Sequence, residues 1–201
     1  MAVGDQPRYN AECPSCGSLE RHRLFFLGLQ RLNLLSGSER VLHFAAEASL
    51  MKTLKKSSAS YQTAELLPGH ADLALNIEQI NLPDKSMDVV IANHVLEHVN
   101  DKAALRELRR VLSDSGRLFI TIPLIEGWAK TYEDPAITSE AERTKHFGQR
   151  DHVRYFGRDF RDRVLAAGFT MTEFGCDGAD AVKYSLPRGE TLFICTKTKS
   201  E

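Results

Sequence analysis

Two histidines and a glutamate follow directly after an apolar segment in the middle of the chain. His94, Glu97 and His98 come after residues 86–93, SMDVVIAN, a β-rich run that predicts a buried parallel strand. A charged glutamate is unexpected in such an apolar setting, and ligands of open α/β sheets bind at the carboxyl ends of strands. Histidine exchanges protons near neutral pH, so His94 and His98 are candidate catalytic bases. Each could equally be a structural residue that hydrogen-bonds nearby backbone.

A second group of polar and aromatic residues lies in a long segment without clear periodicity, residues 124–156. A loop of this length in a compact domain is usually functional. His152 is the leading candidate for the base. Arg150 and Arg154 are predicted to bind substrate, because guanidinium groups suit carboxylates and phosphates and so favour an anionic acceptor. The aromatic side chains of Trp128 and Tyr132 are predicted to form part of a lid over the substrate.

Cys13 and Cys16 form a C-P-S-C-G knuckle with the spacing of half a zinc ribbon. A complete zinc site needs two further ligands, and the chain has no second C-x-x-C. The fold could bring these ligands from His22, Cys176, His146 or His152. The alternative is a turn with two free thiols.

The order of predicted elements defines the fold class. Helices are predicted at 18–35 and 101–112 and over 157–169, and strands at 40–45, 60–66, 71–75, 86–93, 117–123, 169–176 and 190–198. Alternation of this kind predicts an α/β protein with a Rossmann-like doubly wound sheet, mostly parallel with an antiparallel C-terminal strand. We divide the chain into residues 1–36, a cysteine knuckle and helix packed on the main domain, and residues 37–201, the main domain.

Composition excludes several classes of function. The 201 residues carry a net charge of −1, so no overall field favours nucleic acid, and a nucleic-acid partner is not expected. No apolar stretch approaches the roughly 20 residues that span a bilayer, and the first residues lack the apolar core of a secretory signal. We therefore expect a cytoplasmic protein without a membrane partner. The oligomeric state is not predicted.

The stretch from Ser86 to Pro123 closely resembles the class I S-adenosylmethionine-dependent methyltransferases of the type 11 group. Its VLEHV segment, a helix ending in RVL, a glycine turn and a final apolar strand occur in the order of that family. CPSCGSLERHR and FGQRDHVRYF resemble a subgroup with an N-terminal CPxCG knuckle. The resemblance implies a Rossmann-like fold and S-adenosylmethionine as the cofactor.

The resemblance also implies a cofactor loop after the first strand. The aligned segment contains His43, Phe44, Ala45 and Glu47, but none of the glycines usual in the family. Glycine allows positive φ and close approach of the backbone to a ligand. Glu47 is predicted to attract the ammonium or sulfonium group of the cofactor. The alternative is a degenerate loop that binds nothing.

Further cofactor contacts follow from the same resemblance. Glu65 ends the second strand 20 residues after Ala45, the spacing of the acid that binds ribose hydroxyls. Asn76 retains a carbonyl that can accept from the adenine amino group, and Ile77 is predicted to pack on the adenine face. Asn93 and His94 are predicted to line the methionine part of the pocket.

We therefore predict a methyltransferase that acts on a small-molecule acceptor, with a hydroxyl of a sugar or natural product favoured. The alternative is a non-catalytic S-adenosylmethionine-binding or protein-interaction module with a degenerate cofactor loop. A nicotinamide-dependent dehydrogenase is disfavoured because the chain lacks G-x-G-x-x-G. Methylation of protein or RNA stays open.

Overall fold

A computed structural model describes residues 11–198 and contains a seven-stranded sheet in the order β3-β2-β1-β4-β5-β9-β8. The strands are β1 Arg40–Phe44, β2 Ser60–Glu65, β3 Leu73–Ala74, β4 Met87–Asn93, β5 Leu112–Thr121, β8 Phe169–Phe174 and β9 Leu192–Lys197, and a separate pair joins β6 Tyr132–Glu133 to β7 Arg154–Tyr155. The helices are α1 Glu20–Arg31, α2 Ala48–Lys56, α3 Asp101–Val111, α4 Glu140–Phe147, α5 Phe160–Ala166 and α6 Gly178–Tyr184.

The sheet confirms the predicted fold class. Strands β1 to β5 pair in parallel, and β9 is antiparallel to both of its neighbours, β5 and β8. β4 has β1 on one side and β5 on the other, and its near-continuous apolar sequence reflects burial on both faces. The strand order reverses between β1 and β4, which makes the carboxyl ends of these strands the expected ligand-binding edge.

Helices cover both faces of the sheet. One core contains Leu42, Val90 and Ile120 from the sheet, together with Leu105 of α3 and Phe160 of α5. The other core contains side chains from the opposite face of the sheet and from α1 and α2, namely Phe25, Leu50, Leu54, Val89, Ile91 and Phe119.

Helix α1 is shorter than predicted and is integrated into the second core. The Phe25 ring meets the Phe119 ring edge-on, with 5.8 Å between centroids. Arg23 donates hydrogen bonds to the carbonyls of Ala11 and Ser18 and, across the fold, to those of Tyr184 and Ser185. The boundary at residue 36 stays a prediction from sequence.

Two predicted loops contain secondary structure. The segment 124–156 includes β6, α4 and β7, and the connection between β8 and β9 includes α6. α4 begins after Ser139, whose hydroxyl accepts from the Glu142 N–H, and Gly148 ends it with φ of 78°. The short helices α4 and α6 show no clear apolar periodicity in the sequence and were therefore not predicted. In the part of the chain that the structure describes, no helix combines the length and apolar character that crossing a membrane requires.

Candidate functional site

Two left-handed residues mark the binding edge of the sheet. Ala45 follows β1 with φ of 49°, and its N–H donates to the Ala64 carbonyl at 3.0 Å. His94 follows β4 with φ of 51°, and its N–H donates to the Thr121 carbonyl at 2.8 Å. The segments after β1 and β4 therefore both turn sharply where the strand order reverses.

Glu47 is the centre of one buried network at this edge. Nε2 of His43 donates to Oε2 of Glu47 at 2.9 Å, and the Tyr61 hydroxyl donates to Nδ1 of His43 at 2.8 Å. Burial favours the protonated acid, but the His43 hydrogen bond and the nearby imidazoles outweigh it and hold the pKa of Glu47 below its ordinary value. The carboxylate predicted to attract the cofactor is therefore ionised and held by the chain itself.

His22 reaches the same carboxylate from α1. Its Nδ1 accepts from the Leu19 N–H at 3.2 Å and lies 2.7 Å from the Ser49 hydroxyl, while Nε2 lies 3.6 Å from Oε1 of Glu47. Burial lowers the pKa of His22 to about 4, although Glu47 opposes the shift. Sequence reasoning considered His22 only as a zinc ligand, because its distance from Glu47 along the chain gives no sign of this contact.

His94 is the centre of a second network. Its Nδ1 lies 3.2 Å from Oε1 of Glu97, and its Nε2 lies 3.3 Å from Oε1 of Glu190. Burial alone would lower the pKa of His94, but the two carboxylates raise it to about 9. This arrangement favours the protonated imidazole at neutral pH, and the catalytic role of His94 stays a prediction. Glu190 was missed because it lies almost 100 residues from His94 in the sequence.

Glu97, His98 and His152 form a third group. One potential ligand atom from each lies within 4.8 Å of the others, and the two imidazole rings meet edge-on with 4.7 Å between centroids. Burial lowers the pKa of His152, so this imidazole is neutral at pH 7. The structure thus brings all three predicted bases around Glu97, a residue whose setting was noticed in the sequence but to which no role was assigned.

The remaining cofactor candidates have different surroundings. Glu65 is half-buried at the end of β2, and no partner for its carboxylate is seen in residues 11–198. Asn76 is exposed, and its side-chain carbonyl accepts from the Glu78 N–H at 2.9 Å. Asn93 is buried and accepts from the Thr121 hydroxyl at 3.2 Å.

The side chains of Phe44 and Ile77 belong to the hydrophobic core. Phe44 is 3% exposed and Ile77 is 4% exposed, and both pack in the core beside α3 and α5. The predicted stacking of Ile77 on adenine is therefore corrected, since almost none of its surface is available. Phe44 can offer a ligand little beyond its backbone.

Arg154 was predicted to bind substrate, but in the structure its guanidinium group is used within the protein. Its side chain is buried and donates to the carbonyls of Leu96 and Val99 at 2.7 and 2.5 Å and to Glu133 at 2.9 Å. Through these hydrogen bonds the Arg154 guanidinium holds the backbone of the segment that contains Glu97 in place. Arg150, in contrast, is exposed, and its role as a binder of anionic substrate stays a prediction.

Trp128 and Tyr132 belong to an aromatic cluster on the segment 124–156. Their rings meet edge-on with 6.2 Å between centroids, and Trp128 contacts Tyr155 in the same way. Nδ1 of His146 lies 2.7 Å from the Tyr132 hydroxyl. Trp128 is 41% exposed and Tyr132 is 38% exposed, so both retain surface for a ligand.

The structure does not complete a zinc site at the cysteine knuckle. Cys13 N–H donates to the Ser18 carbonyl and Gly17 N–H donates to that of Cys13, which forms a tight turn. Hydrogen bonds from Ser18, together with Cys13, hold the pKa of the exposed Cys16 thiol below its ordinary value. Across residues 11–198, neither cysteine joins a group of three potential ligands, and His22 is already hydrogen-bonded elsewhere. The zinc prediction is therefore not supported.

The surface clefts near α3 include one on its basic side and one beside the site. The larger, about 590 Å³, is lined by Lys102, Arg106, Lys130 and Arg163 and contains none of the predicted cofactor residues. The smaller, about 410 Å³, is lined by His98 and Val153, among others, and so opens beside the third group of the site.

Residues 31–120 match the family model described as a methyltransferase domain, type 11. A probable S-adenosylmethionine-dependent methyltransferase of Mycobacterium tuberculosis is 45% identical over 49 residues. That match includes 24% of this chain and 18% of the relative, so the chain spans less than a fifth of this curated relative's length.

Solved structures share the fold over most of the chain. The 1,6-didemethyltoxoflavin-N1-methyltransferase of Burkholderia thailandensis, solved with 1,6-didemethyltoxoflavin and S-adenosylhomocysteine, has a TM-score of 0.60 at 14% identity, covering 90% of this chain and 79% of its own. The [4+2]-cyclase SpnF has a TM-score of 0.63 at 14% identity, covering 89% of this chain and 82% of its own. The sheet order and these neighbours show a Rossmann-like α/β fold, and the matched residues 31–120 resemble a methyltransferase domain.

The chain's own residues fit S-adenosylmethionine, whose sulfonium and ammonium groups are cationic and whose ribose carries two hydroxyls. Glu65, at the end of β2, has a carboxylate without a hydrogen-bond partner among residues 11–198. Both side-chain oxygens of the fully buried Glu97 lack a directed hydrogen bond, although His94 is at ion-pair distance. Acidic groups therefore lie where a cationic ligand of this fold would bind.

Proposed function

We propose that this protein transfers a methyl group from S-adenosylmethionine to a small-molecule acceptor and that the methylated atom is a hydroxyl oxygen of a sugar or natural product. The observation that carries the proposal is the convergence of three buried polar networks, around Glu47, His94 and Glu97, on the switch point between β1 and β4. Burying so many ionisable groups is costly, and such clusters concentrate at functional sites.

Glu65, Asn76 and the carboxylates at the switch point are the groups proposed to hold the cofactor. Glu65 accepts from the ribose hydroxyls, and the Asn76 amide meets the adenine edge. Glu47 and Glu97 place negative charge near the methionine part, with Asn93 beside them. S-adenosylmethionine, when bound, supplies a methyl group already activated on sulfur, so the protein has to align the acceptor and keep water out.

The difference between two imidazoles supports a proton-transfer role for this site. His94 is protonated, because Glu97 and Glu190 raise its pKa to about 9, whereas burial lowers the pKa of His152. Neighbouring groups with pKa values pushed apart divide acid and base roles between them. His152 is therefore the group proposed to take the proton from the acceptor hydroxyl, with His98 beside it. His94 contributes a fixed positive charge.

Arg150, Trp128 and Tyr132 are proposed to bind the acceptor. All three expose side-chain surface on the segment 124–156, which also contains His152. An exposed guanidinium and exposed aromatic rings on one segment suit an acceptor that combines a flat or apolar body with an anionic group. The proposed acceptor is for this reason anionic.

A second candidate function is a non-catalytic module of the same fold. It is favoured by the loop after β1, where Ala45 takes a left-handed conformation without glycine and Glu47 is tied to His43. A loop closed by its own side chains could bind a partner rather than a nucleoside.

Calorimetric titration with S-adenosylmethionine and with its demethylated product separates the two candidates. Methyl transfer requires micromolar binding at one site per chain, followed by transfer of labelled methyl to at least one member of an acceptor panel that begins with anionic hydroxyl compounds. Absence of binding to either ligand by the folded protein would contradict the proposed function and favour the non-catalytic module.

A further inference from the structure

Glu97, His98 and His152 have the donor types and the closeness of a metal-binding triad. Two imidazoles and one carboxylate suit divalent first-row transition-metal ions such as Mn²⁺, Fe²⁺ and Co²⁺. Metal–ligand bonds to these atoms measure about 2.0–2.2 Å, so ligand atoms on one ion are separated by about 3–4 Å. The donor atoms lie within 4.8 Å of one another, and a shift of about 1 Å brings them into this range.

Two members of the triad carry buried polar atoms without a hydrogen-bond partner. Glu97 is 0% exposed, and neither of its carboxylate oxygens makes a directed hydrogen bond. Nδ1 of His152, which is 5% exposed, also lacks a partner. Buried polar atoms in proteins are nearly always hydrogen-bonded, so the clustering of unpartnered ones at one point suits a bound ligand.

The surrounding chain positions the triad as supporting groups do in metal sites. Oδ2 of Asp151 lies 3.4 Å from Nδ1 of His98, which leaves the other ring nitrogen of His98 for a ligand. The Val153 N–H donates to the Glu97 carbonyl at 2.9 Å, and Arg154 holds the carbonyls of Leu96 and Val99. Both segments of the triad are therefore fixed to each other by backbone contacts.

His94 is the main group that opposes a cation at this position. Its protonated ring lies beside Oε1 of Glu97, but Glu190 shares its charge on the other side. The second oxygen of Glu97 is not engaged by His94 in any hydrogen bond. The cleft lined by His98 and Val153 opens to solvent beside one member of the triad.

We infer that Glu97, His98 and His152 bind one divalent transition-metal ion at the acceptor end of the site. The inference rests on the proposed function for its role but not for its test. A divalent ion held here would coordinate the acceptor hydroxyl and lower its pKa, so that the hydroxyl proton passes to solvent water. The resulting oxygen would attack the methyl carbon of S-adenosylmethionine as its carbon–sulfur bond breaks, which leaves S-adenosylhomocysteine. His152 then serves as a ligand rather than as the direct proton acceptor.

The test is titration of the full chain, freed of metal with a chelator, with Co²⁺ alone. We expect one equivalent to bind, with a visible ligand-field spectrum produced by nitrogen and oxygen donors. Glu97→Gln, His98→Ala and His152→Ala should each weaken Co²⁺ binding by about tenfold or more. His98 is partly exposed, so its variant is informative even if substitution of the buried residues impairs folding.

Two controls separate this site from other donors. His70→Ala removes an exposed histidine outside the triad, and Cys13→Ser/Cys16→Ser removes the thiol pair; both should leave Co²⁺ affinity unchanged. The inference is overturned if the folded chain does not bind Co²⁺, or if binding survives in all three triad variants. Binding lost in the cysteine variant alone would also overturn it and assign the metal to the knuckle.

A parallel titration of the metal-free chain with S-adenosylmethionine keeps the two proposals apart. Cofactor binding without Co²⁺ binding removes the metal site and leaves the methyltransferase proposal. Co²⁺ binding at the triad without cofactor binding supports the metal site and contradicts the methyltransferase proposal.

Discussion

Nε2 of His43 lies 2.9 Å from Oε2 of Glu47, so the carboxyl end of strand β1 is joined to the residue that precedes α2. The loop between these elements contains no glycine, and it is closed by this side-chain hydrogen bond. The ionised Glu47 is therefore a fixed negative charge at the switch point of the sheet, where a cationic cofactor would bind.

Glu65→Ala should weaken S-adenosylmethionine binding about 10- to 100-fold while leaving the fold intact. Hydrogen bonds to a charged group contribute about 1.5–3 kcal/mol, and the Glu65 carboxylate has no partner within residues 11–198 whose loss would destabilise the protein. Calorimetry measures the affinity, with Glu140→Ala, an exposed residue of α4, as the matched control. Equal affinity in the folded variant would show that Glu65 does not bind the ribose.

His152→Ala should lower turnover by about 100-fold or more without loss of cofactor affinity, whether His152 takes the proton itself or holds a metal ion. Initial rates with the identified acceptor and calorimetry with S-adenosylmethionine provide the two readouts. His70→Ala is the control. Full activity of His152→Ala would exclude both roles.

Because His22 is buried in its neutral form, the free energy of unfolding should fall as the pH is lowered from neutral. Its folded pKa of about 4 lies below the ordinary value of 6.5, so the unfolded chain binds the proton more readily. Stability from neutral His22 is fully present above about pH 6.5 and is lost as the pH falls towards 4, by about 2 kcal/mol at pH 5. Urea unfolding of wild type and His22→Gln at pH 7.5 and pH 5 measures this, and the variant should lose less stability on acidification. The same loss in both proteins would mean that His22 is not buried in its neutral form.

Ala45→Gly should leave stability unchanged or raise it, because Ala45 has φ of 49° and glycine adopts this conformation without steric cost. The matched change Ala141→Gly, on the exposed face of α4, should cost about 0.5–1 kcal/mol. Thermal or urea unfolding of both variants gives the comparison. A larger loss at Ala45 than at Ala141 would contradict the left-handed turn after β1.

Substitutions of Arg154 and Arg150 should affect stability differently, although both residues are two positions from His152 in the sequence. Arg154→Gln removes hydrogen bonds that hold Leu96 and Val99 and should lower the free energy of unfolding by about 3 kcal/mol. Arg150→Ala should change stability by less than about 0.5 kcal/mol and raise the KM for an anionic acceptor. A stable Arg154→Gln protein with an altered KM would restore Arg154 as a substrate-binding residue.

The sequence by itself determined the sheet and the place of the site along the chain. Local hydrophobic patterns predict β1, β2, β4 and α3 because their periodicity reflects burial directly, and the VLEHV segment places Glu97 and His98 after the central strand. The spacing of Glu65 from the first strand likewise depends only on neighbouring elements of one βαβ unit. Short helices such as α6 carried no comparable signal.

Only the tertiary structure decided which ionisable groups meet and in what protonation state. His22 reaches Glu47 from α1, Glu190 reaches His94 from the loop before β9, and His152 joins Glu97 from a distant segment. A pKa depends on burial and on charges within a few ångströms, neither of which is encoded in local sequence. For the same reason Arg154, which the sequence indicated as a substrate ligand, is a buried structural residue in the folded chain.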